Sequence, residues 1–166
     1  MKQKIFKEAK RIEEDCLFSA RGHFCAAQRW ATIHLWLGIP AATLAAIAGA
    51  SSLSQFSNHN IIAGIIAIAV SALTAVATFL NPNEKATNHR YAGDQYNNLR
   101  NNVRLLAEIE LDLAIDDKEI LAELKDINRK RNEFSLKLPL IPRWAYRKAK
   151  KGIEKGEAKY EIDKEQ

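Results

Sequence analysis

The chain has 166 residues, with 25 Lys and Arg against 20 Asp and Glu and a formal charge of +5. These charges are segregated: none of the four charged residue types occurs between Arg29 and Glu84. That excludes an ordinary soluble protein, because a helix apolar on every face is buried only deep inside a large protein, and the rest of this chain holds too little apolar material to wrap two such rods.

From the N-terminus, residues 1–32 read as one amphipathic helix. Ile5, Ala9, Ile12, Cys16, Ala20, Phe24, Ala27 and Ala31 recur every three or four positions, with charges between them. No Pro or stop signal separates this stripe from the apolar run 33–53, so the helix is expected to continue into it. Pro40 is expected to kink it inside the membrane. Residues 54–60 form a short polar joint, and a second apolar run covers 61–80. Each run has the roughly 20 residues that cross a bilayer core as a helix. The first begins too late and is too long for a cleaved leader, and so is expected to be an uncleaved anchor. Asn81–Pro82–Asn83 marks a bend. Another stripe follows, Ala92, Tyr96, Leu99, Val103, Leu106 and Leu113, with coiled-coil-like spacing. Asp116 caps a further helix with Glu119 three positions on, whose apolar positions are Ile120, Leu124, Ile127 and Phe134. The run Leu138–Pro139–Leu140–Ile141–Pro142 ends it. Residues 143–166 begin basic, with Arg143, Arg147, Lys148, Lys150 and Lys151 around Trp144 and Tyr146, and become polar from Gly156.

The expected architecture is all-α: a two-helix transmembrane hairpin (33–80, loop 54–60 outside) and a cytoplasmic helical bundle. The bundle is built from the arm 1–32, the region 81–142 and the tail 143–166. The arm is expected to run antiparallel to the helix beginning at Glu84. Lys and Arg flank the hairpin and are missing from its loop, so both termini are expected in the cytoplasm.

Chemistry is sparse. Cys16 and Cys25 stand about 13 Å apart by helical rise, too far for a disulfide within the chain. With His23 they match no usual zinc spacing. There is no phosphate-binding glycine loop, dinucleotide fingerprint or nucleophile elbow, and no intramembrane carboxylate. No catalytic residue, metal or cofactor is therefore expected. The informative patterns lie in the apolar runs. Gly38, Ala42, Ala46 and Ala50 form one small-residue ladder, and Ala63, Ala67, Ser71 and Ala75 another. Such ladders let helix backbones approach closely, either within the hairpin or between chains. Ser71, Thr74 and Thr78 make a hydroxyl stripe that either lines a watery path in an oligomer or bonds its own backbone carbonyls. Trp30, His34 and Trp36 are expected to anchor the interface. The basic patch at Arg143–Lys151 is expected to meet anionic headgroups, a simpler partner than nucleic acid for a membrane-bound bundle.

The arm running into RWATIHLWLGIPAATLAAIAG, the helix ending TFLNP and the block HRYAGDQYNNLRNNVRLLAEIEL together resemble the SLATT family of bacterial two-transmembrane effectors. The likeness covers roughly Phe18 to Leu113, and more loosely the helix to Phe134. It implies a membrane effector associated with nucleotide-second-messenger synthases and SLOG-type sensors, which permeabilises the inner membrane in anti-phage defence and leads to abortive death or dormancy. It carries no catalytic or ligand residues. A single hairpin encloses no channel, so this reading requires homo-oligomers, with an upstream synthase or sensor as partner. Two other readings stand beside it: a non-conducting membrane-anchored interaction module, and a holin-like constitutive channel.

Overall fold

The computed structural model describes residues 1–53, 58–113 and 116–160, apart from the side chain of Asp112. The described residues are helical, with no strand among them. Helix α1 spans Lys2–Ser52, α2 His59–Leu80 and α3 Pro82–Leu105. A π-helical turn, Leu106–Glu110, leads into the short α4, Leu111–Leu113; α5 spans Asp117–Lys137 and α6 Arg143–Glu154. Residues 54–57 of the expected loop and 161–166 of the tail lie outside the described residues.

The chain forms two compact units. One comprises Met1–Ala27 with Thr87–Gln166, and the other Gln28–Ala86. The first is a helical bundle. Its core holds Ile5, Ala9, Ile12, Cys16 and Ala20 of α1; Tyr96, Leu99, Val103 and Leu106 of α3 and the turn after it; and Ile120, Leu124 and Ile127 of α5. Helices α1 and α3 run antiparallel, as the paired numbers show. Lys10 bonds Glu108, Arg100 lies 3.8 Å from Glu13, and His23 meets His89. Their close approach needs glycine at Gly93, where a Cβ would fall 2.6 Å from the Phe24 ring; a Cβ at Gly22 would fall 2.9 Å from Ile141, in the segment between α5 and α6.

Local signals place the helix ends. Asp116 caps α5 by accepting the Lys118 amide at 2.8 Å. Asn81 ends α2 in the left-handed conformation at φ 43°, with its amide on Ala77 O, and Pro82 opens α3 at the position where a missing amide hydrogen costs nothing. The expected core stripe departs from the structure at two ends. Ala31 is exposed, because the unit boundary falls before it. Leu113 is 75% exposed, and Leu111 is buried in its stead. The π-helical turn accounts for this: it takes one residue more than an α-turn, so the next buried position after Leu106 is Leu111 instead of residue 110, and Leu113 turns outward.

Candidate functional site

The second unit contains the C-terminal part of α1, all of α2 and the first residues of α3. Among the described residues two helices are long and apolar enough to cross a membrane, and the most apolar stretch of each contains no buried residue. Exposed faces carry Leu35, Trp36, Ile39, Ile47, Ile61, Ile65, Ile68 and Phe79. A soluble core helix would hide such side chains, because burial of apolar area drives folding. Their natural solvent is lipid, which has no water to hydrogen-bond a bare backbone and which a helix satisfies internally.

Each helix of the hairpin has one half-covered face. In α1 it is made by Leu37, Pro40, Ala41, Leu44, Ala48 and Ser51; in α2 by Ala63, Ile66, Val70, Leu73 and Ala77. The 4-3 spacing of both sets marks a single helix face, and both faces belong to the same compact unit. The small-residue ladders fall elsewhere. Gly38, Ala42, Ala46 and Ala50 are all exposed, as are Ala67, Ser71 and Ala75; Ala63 alone belongs to the half-covered face. A Cβ added at Gly38 would meet no atom within 4 Å. The ladders thus lie mainly on the outside of the hairpin.

Ser71, Thr74 and Thr78 are exposed too. Ser71 Oγ donates to Ala67 O at 2.9 Å, the bond one turn back along its own helix. Thr32 and Thr43 do the same, to Gln28 O and Ile39 O. Pro40 sits inside the unbroken α1. Of the aromatic anchors, Trp36 is 75% exposed and His34 exposed, whereas Trp30 is half-covered, with the Lys85 ammonium 4.5 Å from its ring centre.

In the bundle, α6 is strongly two-faced. Ala145, Ala149 and Gly152 are buried, and Arg143, Arg147, Lys148, Lys150 and Lys151 all point outward. The five basic side chains therefore share the solvent side of one short helix. An open cleft of about 930 Å³ lies between α1, α5 and α6, with Phe18, Tyr96 and Tyr146 in its walls. Four of its charged side chains pair with one another, Arg131 with Asp15 at 2.7 Å and Lys150 with Glu154 at 3.7 Å. Among the described residues no group of three or more His, Cys, Asp or Glu is arranged to hold a metal ion. Cys16 is fully buried, and burial pushes its thiol up to about 12.

One cluster was not legible in the sequence. His23 and His89 are both buried, with their Nδ1 atoms 3.0 Å apart. His23 sits among the small residues of α1, and nothing in its spacing points to a partner so far along the chain.

Two long apolar helices joined to a charged helical bundle define a membrane protein with two candidate spans. The chain belongs to the SMODS and SLOG-associating 2TM effector domain family, family 4, which it matches over residues 10–165. It is thus a membrane effector of the class the sequence resembles. Comparison with curated proteins and with solved structures gives no match.

Proposed function

We propose that this protein is an effector of anti-phage defence whose hairpins associate in the inner membrane and permeabilise it when a nucleotide-linked system fires, with abortive infection as the outcome. One observation carries the reading. The hairpin half-covers one face of each helix and leaves Gly38, Ala42, Ala46 and Ala50, with Ala67, Ser71 and Ala75, exposed. In lipid, helices gain nothing by hiding apolar side chains from one another and associate by close packing, for which small residues are suited. A surface of that kind serves contact between chains. Two helices enclose no channel, so several copies are needed to conduct.

In this reading both termini and the bundle lie in the cytoplasm, since the basic residues flank the hairpin and its loop has none. Trp30, His34 and Trp36 hold the cytoplasmic end at the interface. The basic face of α6 meets anionic headgroups, each Lys or Arg near the surface contributing on the order of 1 kcal/mol. The upstream synthase or sensor acts on the bundle, and no nucleic acid is required. The domain plan is an arm at 1–32, a hairpin at 33–80, a helical region at 81–142 and a tail at 143–166.

A non-conducting tether is favoured by a single feature, the Ser71 hydroxyl spent on its own backbone. Dye release from vesicles carrying the protein, with the proteins of its defence system added as trigger, separates the two. Wild-type protein is expected to leak on triggering, and Ala46→Leu or Ala67→Leu to insert equally well and leak at least about tenfold less. Triggered wild-type protein that binds its partners and leaves the vesicles sealed would establish the tether. Leakage without any trigger would establish the holin-like channel.

A further inference from the structure

Helices α1 and α3 meet inside the bundle through two imidazoles. His23 is 2% and His89 6% exposed, and their Nδ1 atoms stand 3.0 Å apart. At that separation one Nδ1 carries a hydrogen and donates it while the other accepts, so the two neutral rings are opposite tautomers. Tyr96 stacks on His23, with ring centres 5.7 Å apart and planes 15° from parallel, and Phe134 of α5 closes edge-on over Tyr96. Ile141, from the segment between α5 and α6, packs at Gly22 beside the pair.

Among the described residues no counter-charge serves this site. On α1, Arg21 is exposed and donates to Glu157 O; on α3, Arg90 is exposed; on α6, Lys148 and Lys151 point outward. Tyr96, the other titratable group in contact, is kept un-ionised: burial pushes its phenol up, Cys16 adds to the rise, and Arg131 opposes it. Burial, and then His89, holds His23 down to about 4, and burial lowers His89 as well. Among the described residues no carboxylate acts on either ring.

We propose that the His23–His89 pair is a proton-operated latch, clasping α1 to α3 when neutral and parting them when charged. The proton count is explicit. The first added proton takes the free ring nitrogen of the donor imidazole; the Nδ1–H···Nδ1 bond survives, but a cation is now buried without a counter-ion. The second has only the accepting Nδ1 left to occupy, which breaks the bond and sets two cations face to face. With α1 and α3 apart, both rings are hydrated and titrate near their ordinary 6.5. The open form therefore binds more protons below that pH, so the closed form is fully stable above about pH 6.5 and loses stability as pH falls towards 4. In sequence the two histidines bracket residues 28–86, the hairpin unit. The latch thus joins the chain just before it enters that unit and just after it leaves. Proton entry into the compartment that holds the bundle is the signal it reads. The latch does not depend on the hairpin conducting, because its readout is opening of the bundle.

The test uses full-length protein in lipid nanodiscs and follows protease cleavage of the bundle from pH 7 to pH 4. With two protons taken up, wild-type cleavage is expected to rise by up to about a hundredfold per pH unit within that range. A double variant, His23→Phe with His89→Phe, keeps a ring on Tyr96 and has nothing to protonate; its rise is expected to begin at least about one pH unit lower. Should that variant fold poorly, nitrogen-15 spectra of the wild-type histidines decide. Both rings are expected to stay neutral while the bundle is closed and to charge only as it opens. Either histidine charging near pH 6.5 in a closed bundle, or cleavage of wild-type protein that stays flat from pH 7 to pH 4, would overturn the latch.

Discussion

Cys16 and Cys25 share one helix and one chemistry but differ in surroundings. Cys16 is sealed in the core with its thiol pushed up to about 12, while Cys25 is half-covered. The thiolate is the reactive form, so a maleimide at pH 7 should label Cys25 at least about a hundredfold faster than Cys16. Mass spectrometry of the labelled peptides checks this, and comparable rates would mean that α1 does not hold Cys16 in a core. The apolar stripe was enough to place Cys16 inside. The neighbouring His23 was out of reach for the same reasoning, because its partner sits 66 positions away. Pairings of that kind are set by helix register across the bundle, which periodicity along one helix does not encode.

At the scale of elements, the arm of α1 and the stripe of α3 can each be read from spacing, and they bury each other as expected. Leu99 is 4% exposed and Leu106 0%. Truncating a buried Leu to Ala costs about 2–5 kcal/mol, so Leu99→Ala with Leu106→Ala should open the bundle to limited proteolysis while membrane insertion stays normal. Wild-type protease resistance in the double variant would remove the stripe from the core. The stripe fails at Leu113, because nothing in LLAEIEL announces a π-helical turn: the sequence suits an α-helix equally well. The ladders were visible as a pattern, and the side of the hairpin they occupy was not. Their four-residue spacing drifts around a helix of 3.6 residues per turn, so only the packed pair of helices shows which positions Leu44, Ala48 and Val70 take and which are left outside.

For the whole molecule, the division of charge did most to define the fold. A stretch without Asp, Glu, Lys or Arg from 30 to 83 separates a membrane unit from a bundle, and the structure divides the chain close to those limits, at 28 and 86. What a single chain leaves open is assembly, since a contact between copies has no trace in one sequence beyond the residues that permit it. The central claim is that copies meet through the outer face of the hairpin. The most direct measurement is oxidative crosslinking in isolated membranes, on a background with Cys16→Ala and Cys25→Ser. Single cysteines are placed at Ala46 or Ala67 on the exposed face, and at Ala48 or Val70 on the half-covered face. The account predicts disulfide-linked chains from Ala46→Cys and Ala67→Cys, with little or none from Ala48→Cys and Val70→Cys. Linkage that favours the half-covered positions, or no linkage at any of the four, would contradict it.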